Sequence, residues 1–168
     1  MWKSLVNTLF AQAKGEFEVD LTLDAFETWL QVQLGNSSQS SDLIGYLERK
    51  NVDGDQMIYR QGDPAETIDL IAVGRRNVEV TCSDGKLLRV RRMATHTVVG
   101  EMGFFRKAVR SASISSDSPT TIFTLTCASF HRMRRERPDL AGDFVEFILR
   151  IMADRIETAN REIAALIP

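Results

Sequence analysis

Apolar residues recur at helical spacing at both ends of the chain and change rhythm in the middle. Trp2, Leu5, Val6, Leu9 and Phe10 follow an i, i+3, i+4, i+7, i+8 pattern. Leu23, Phe26, Trp29, Leu30 and Leu34 repeat it, and Gly35 stands where a helix stop belongs. The polar run 36–41 reads as a linker, and 42–50 as a short helix. Near the other end, 128–137 predicts a short helix cut by Pro138. A longer helix follows over 139–166, opened by Pro138-Asp139, with Pro in the first turn and an acid at the positive end of the dipole. Its apolar stripe includes Leu140, Phe144, Phe147, Ile151, Ile156 and Ile163. At 1.5 Å per residue such a helix is about 42 Å long. That exceeds what one small β-domain covers, so its far end is expected to pack on the N-terminal zone or on another chain.

Residues 51–126 carry short β-type runs at 57–60, 67–73, 78–82, 87–93, 97–99, 111–115 and 120–126, with glycines between them. Asp84-Gly85 predicts a two-residue hairpin turn, because glycine supplies the positive φ. Many short strands at close spacing indicate a sandwich or jelly roll rather than a parallel sheet. The fold class is therefore α+β: an antiparallel, jelly-roll-like β-roll flanked by N-terminal helices and a long C-terminal helix. Residues 1–41 form a helical extension and linker, and 42–168 the roll domain.

The composition is that of an ordinary globular protein, with 43% hydrophobic and 26% charged residues among 168. The net charge of −2 argues against a nucleic-acid partner. That total hides an asymmetry: residues 1–74 hold 5 Lys and Arg against 12 Asp and Glu, and residues 75–168 hold 16 against 11. The two halves suggest an internal electrostatic contact or two functional surfaces. The basic run 131–137 is a solvated helix face, or else meets acids of the N-terminal zone or acidic lipid head groups. Cys82 and Cys127 make no disulfide framework, which points to a reducing compartment. No run approaches the roughly 20 apolar residues of a membrane span. The chain is expected to be cytoplasmic, alone or as the soluble part of an inner-membrane protein. His96 and His131 are not at metal-ligand spacing, and neither a nucleophile elbow nor a phosphate loop is present. No catalytic residue, enzymatic activity or metal is expected.

One segment carries chemistry. A strand ending at Val98-Val99-Gly100 runs into Glu101-Met102-Gly103 and a short apolar helical turn, and Arg110-Ser111-Ala112 leads into the next strand. Helix-terminal N–H groups and a permanently charged, planar guanidinium suit an anion. Ser111 adds a hydroxyl, and Ala112 is small enough for a close backbone approach. A carboxylate beside a phosphate is unfavourable unless it has another task, and accepting a ribose hydroxyl is such a task. Glu101 and Arg110 together can thus read both halves of a ribose phosphate.

The segment resembles the phosphate-binding cassette of the cyclic nucleotide-binding domain family. Asp53-Gly54-Asp55, Tyr59-Arg60-Gln61-Gly62-Asp63, Ile71-Ala72-Val73-Gly74 and Asp84-Gly85 are similar to the family's other landmarks, so the resemblance covers roughly residues 42–165. It implies a regulatory ligand sensor for cAMP or cGMP. Glu101 would take the ribose 2′-hydroxyl, and Gly100, Met102 and Gly103 would line the ribose. Arg110, Ser111 and the Ala112 N–H would hold the cyclic phosphate. Val98, Val99, Ile151, Arg155 and Thr158 would lie near the base, and a shift of the last helix would be the output. The sequence departs from the family pattern at Val109, where a proline is common, at His96, where a turn glycine is common, and at Arg76, in the place of an inward aliphatic. The alternative reading is a nucleotide-blind dimerisation or docking module of the same fold. Regulators of this family carry a helix-turn-helix after the long helix, and none follows here before Pro168, so DNA is not an expected partner. Residues 20–30 (Asp-Leu-Thr-Leu-Asp-Ala-Phe-Glu-Thr-Trp-Leu) resemble the stretch before this domain in sulfate-permease transporters of the STAS type. The implied partners are the cyclic nucleotide, a second copy through the C-terminal helix, and a membrane transporter as partner or parent chain.

Overall fold

The computed structural model describes residues 24–35 and 37–167. The expected helix at 2–10 lies outside them. Helix α1 (24–34) ends at Gly35, whose φ of 74° is the left-handed stop that glycine takes without strain. Then follow α2 (Ser37–Ile44), β1 (Glu48–Val52), β2 (Met57–Tyr59), β3 (Thr67–Val73), β4 (Arg76–Thr81), β5 (Leu87–Met93) and β6 (Thr97–Val99). The chain continues through α3 (Glu101–Arg106), β7 (Ser113–Ser116), β8 (Thr120–Thr126), α4 (Cys127–Glu136) and α5 (Pro138–Leu166).

Among the described residues, eight strands form two four-stranded antiparallel sheets, in the orders β1-β8-β3-β6 and β2-β7-β4-β5. The period of two along each strand divides the first sheet into two faces. Ile68, Leu70 and Ala72 of β3, with Phe123 and Leu125 of β8, pack on the helices. Their alternates Ile71 and Ile122 point between the sheets, where they meet Tyr59, Val99 and Ile114. The helix-side core is mostly aromatic. Phe26 stacks on Phe123 at 4.6 Å, and Trp29 sets its edge on Phe147 at 5.5 Å. Each buried aromatic of this kind contributes about 1.5–3 kcal/mol. Thus α1 is part of the same core as the roll.

Four strands lie where the sequence places them: 67–73, 87–93, 97–99 and 120–126. Three elements differ. Residues 37–41 of the polar run are not a linker: they form the first turns of α2, which Leu43 anchors in the core. Residues 48–50 are not helical but open β1, an edge strand paired with β8 from Glu48↔Thr124 to Val52↔Thr120. Its residues Glu-Arg-Lys-Asn-Val are largely exposed, so no apolar alternation marks them. The β4–β5 turn has three residues rather than two: Cys82 N–H donates to Lys86 O at 2.8 Å, and Gly85, at φ 80°, closes a turn on Cys82 O.

The acidic front and basic back do meet. Arg137 pairs with Asp42 and Asp139, Tyr46 Oη donates to Glu136 at 2.9 Å, and Arg132 lies over the Tyr46 ring. This fixes part of the basic run against the N-terminal zone. No helix among the described residues is long and apolar enough to cross a membrane.

Candidate functional site

The site is built where β6 stops. Gly100 has φ 87°, so the chain turns sharply from strand into α3. A Cβ there would lie 2.4 Å from Arg110 Nη1 and 2.9 Å from Thr67 O, so glycine is required for space as well as conformation. Gly103 is equally confined: a Cβ would meet Ala65 Cβ at 2.4 Å and Val109 O at 2.9 Å. Phe104 is buried with its ring edge-on to Phe130, and Phe105 is half outside. Phe104 thereby plugs α3 into the helix-side core.

The expected residues converge on one pocket of about 110 Å³. Val99, Gly100, Glu101, Met102, Gly103, Arg110, Ser111 and Ala112 all line it. Val98 does not: its side chain is fully buried among the helix-side residues, because adjacent strand positions face opposite ways. Its carbonyl, however, is used. Of the helix α5 candidates, only Arg155 reaches the pocket; Ile151 packs at the edge of the helix-side core, and Thr158 caps its hydroxyl on Asp154 O. Spacing alone did not single out Tyr59, Val78, Met93 and Ile114, which form the apolar back wall. They come from the four strands of the second sheet, β2, β4, β5 and β7, and only the sheet order brings them together.

Glu101 and Arg110 do not close on each other. Glu101 is 4% exposed and accepts a hydrogen bond from Arg155 Nη1 at 2.7 Å. Arg155 Nη2 also donates to Thr97 Oγ1 at 3.1 Å and to the Val98 carbonyl. The long helix is thus tied by one guanidinium to the end of β6 and to the start of the cassette. Arg110 is 5% exposed and turned inward. It donates to Thr67 O at 2.8 Å, Gly100 O at 3.2 Å and Thr67 Oγ1 at 2.7 Å, and lies over the Tyr59 ring at 3.5 Å. The guanidinium is therefore held in one orientation at the pocket floor. Burial, with the Asp69 carboxylate nearby, pushes the Tyr59 phenol far up, so the ring remains neutral under the cation.

The three departures have physical answers. His96 adopts φ 59°, an uncommon conformation for this residue. It is held there by the Trp29 ring, stacked at 5.5 Å, and by its N–H on Ile71 O. Arg76 is fully buried between the sheets with Nη1 on Thr120 Oγ1 at 2.7 Å. It reaches there past Gly74, where a Cβ would sit 2.1 Å from that same oxygen. At Val109, a backbone bridge to Pro64 and the Arg110 N–H on Asp63 O fix the loop without proline.

A two-sheet antiparallel roll, with a Gly-Glu turn and an Arg-Ser-Ala segment on one pocket capped by a C-terminal helix, defines a small-ligand-binding regulatory domain. The chain belongs to the cyclic nucleotide-binding domain family, whose sequence profile matches residues 49–137, more than half of it. It is similar in fold to a cyclic nucleotide-binding domain from Methylobacillus flagellatus, with a TM-score of 0.74 and 20% identity over 79% of this chain and 75% of that one. It is also similar to the regulatory domain of Toxoplasma gondii PKA, solved with cAMP, with a TM-score of 0.58 and 20% identity over 65% of this chain and 43% of that one. A lysophospholipase nte1 of Aspergillus terreus is 27% identical over 69% of this chain. The match takes up 8% of that enzyme's length, so the chain spans only a small part of it.

Proposed function

We propose that this domain is a non-catalytic sensor of a cyclic nucleotide, cAMP or cGMP, and that α5 carries the signal. The observation that supports it is the separation of Glu101 from Arg110: one acceptor and one fixed cation face the same pocket and are not paired with each other. In this reading Glu101 accepts the ribose 2′-hydroxyl. Arg110, the Ser111 hydroxyl and the Ala112 N–H hold the cyclic phosphate, and the apolar wall of Val78, Met93, Val99 and Ile114 receives the sugar face.

The pocket of about 110 Å³ is smaller than the roughly 300–1,000 Å³ of ligand sites. Arg155 bounds it on the helix side. In this reading an entering nucleotide displaces Arg155 from Glu101, and a ribose hydroxyl replaces it there. That exchange converts occupancy of the pocket into release of α5.

The free end of α5 supports self-association. Leu149, Ile156 and Ile163 are 59%, 60% and 57% exposed and lie seven residues apart. Met152 and Ala159 fall between them and Leu166 follows Ile163, at the alternate positions of a heptad, the repeat of a two-stranded coiled coil. In this reading a second copy covers that seam. The stretch 20–30 supports an attached anion transporter as the effector, with the domain on its cytoplasmic side.

Calorimetry with cAMP and cGMP tests the ligand. Saturable heat with at least one is expected, and Arg110→Ala should abolish it. No heat from either, with protein well above micromolar concentration, would sink the reading.

A further inference from the structure

A groove of about 560 Å³ lies between α3, α4 and α5. Phe105 of α3, Phe130 of α4 and Pro138, Ala141 and Val145 of α5 make it apolar. Phe105 holds its ring edge-on to Phe130 at 5.8 Å. Gly142 opens the wall on the α5 side, and Arg134 is the one charge in the lining.

Gly142 stands inside a helix, where glycine is a weaker choice than alanine. A Cβ there would meet nothing within 4 Å, so no contact in the described fold asks for glycine. The residue is exposed, and the space it leaves is open from outside. The charges at the groove are one-sided. Arg106 and Lys107 follow Phe105 directly; with Arg134 they are exposed and form no ion pair among the described residues. The acids of α4 and α5 beside the groove residues in sequence are already engaged: Glu136 by Tyr46 and Arg132, Asp139 by Arg137, Asp143 by Gln39 and Glu146 by Arg150. Three cations therefore rim an apolar groove with no acid to answer them.

We propose that this groove docks an acidic amphipathic helix of a partner protein. One apolar helix stripe fills a concave apolar surface of this kind. Gly142 lets the partner's backbone come close, and acids flanking the stripe meet Arg106, Lys107 and Arg134. A second copy is a poorer occupant, because a symmetric interface presents the same patch from both sides and sets cation against cation. A bilayer is a poorer one too, since lipid binding needs an apolar face that inserts rather than a hollow. Helix α3 begins at Glu101 and carries Phe105, so docking bears on the nucleotide pocket, and its affinity should differ with and without nucleotide. That coupling rests on the proposed nucleotide site; the docking itself does not.

The test is an amide NMR titration of the full chain with two synthetic stapled helices. Both carry leucine at i, i+3, i+4 and i+7; one has glutamate at the flanking positions and the other lysine. The glutamate helix should give saturable shifts centred on Phe105, Phe130, Gly142 and Val145. It should bind at least about tenfold tighter than the lysine helix, because several charge contacts reverse sign. Arg134→Glu should narrow that preference. Gly142→Leu fills the groove and should weaken the glutamate helix at least about tenfold, as for one displaced apolar side chain, with amide signals elsewhere unchanged. Gly142→Ala should weaken it too and yet raise the melting temperature, whereas a glycine that serves internal packing would lower it. No saturable shift with either helix, equal binding of both, or binding unchanged in Gly142→Leu overturns the proposal. Binding that appears only in Ile156→Glu gives the groove to a second copy and also overturns it. So do acidic phospholipid vesicles that shift these signals where the glutamate helix does not. If neither cAMP nor cGMP binds while the glutamate helix does, the nucleotide reading fails and the groove stands.

Discussion

Arg76 and Asp69 are ionisable groups placed where an apolar side chain would be the ordinary choice. Arg76 leaves Nε and Nη2 unpaired, and burial lowers its guanidinium from the usual value to about 10. Replacing a buried charge by a shape-matched apolar residue is often stabilising by about 1–4 kcal/mol. Arg76→Met should therefore raise the urea midpoint, since the Thr120 hydroxyl keeps its bond to the Ser118 carbonyl at 2.8 Å. Asp69 shows the opposite sign from a salt-bridged acid. Burial pushes its carboxyl above the ordinary value, against smaller lowering effects of the nearby Thr124 and Tyr59 hydroxyls and of Lys50 and Arg110. The folded form holds its proton more tightly than the unfolded chain, so stability falls as pH rises from the ordinary carboxylate range through the raised pKa. Asp69→Asn should increase the melting temperature at neutral pH, and the gain should vanish in acid below that range. The sequence flags Arg76, because an arginine after Gly74 interrupts an apolar place. It does not flag Asp69, since one acid in Thr-Ile-Asp-Leu-Ile-Ala-Val reads as the solvent side of a strand. Only the second sheet reveals that both faces of β3 are covered.

The elements that could be read from sequence are those with their own rhythm or punctuation. Strands β3 and β8 carry dense β-branched and aromatic runs, and α5 carries a stripe opened by proline. The segments that misled are polar. Helix α2 begins among serines, and β1 has no inward apolar row; each is defined by what it packs on rather than by its own pattern. The cassette was legible because glycine at 100 and 103 and the interval from Glu101 to Arg110 serve geometry as well as chemistry. The Arg155 contact was not, because it joins residues far apart in the chain. Breaking it leaves Glu101 buried without its cation. Arg155→Ala should cost roughly 1–3 kcal/mol, less than a fully buried pair because Arg155 is 23% exposed at its side chain. A cyclic nucleotide that satisfies Glu101 should restore that loss, so the variant should gain more in melting temperature from ligand than the wild type does. Equal gains would remove Arg155 from the mechanism. Gly100→Ala, with its strained φ and its clash on Arg110, should lose binding and unfold at lower denaturant.

At the scale of the whole molecule, the helices pack on one face of one sheet, and the pocket opens at the end of that sheet. In the proposed reading, ligand-dependent change is confined to the region where α3, β6 and α5 meet, and the α1–Phe123 contact stays out of it. If the exposed seam of α5 joins two copies, analytical ultracentrifugation should show a dimer, and Ile156→Glu should give a monomer of unchanged fold. An unchanged dimer in that variant would place the interface elsewhere. The burial along α5 has one further consequence. All its buried residues, Leu140, Ala141, Phe144, Phe147 and Ile148, fall in the first half; Arg150 on the Gln33 carbonyl and Ile151 and Met152 on the core extend the hold by one turn, and Arg155 is the next fastening. Residues 153–166 are then a lever of about 21 Å at 1.5 Å per residue, clamped at one end and pinned near its root by Arg155. In the proposed reading, once the pin is withdrawn a tilt of a few degrees at Met152 is multiplied into about an ångström or more at Leu166, so a hydroxyl-sized event in the pocket acquires mechanical gain.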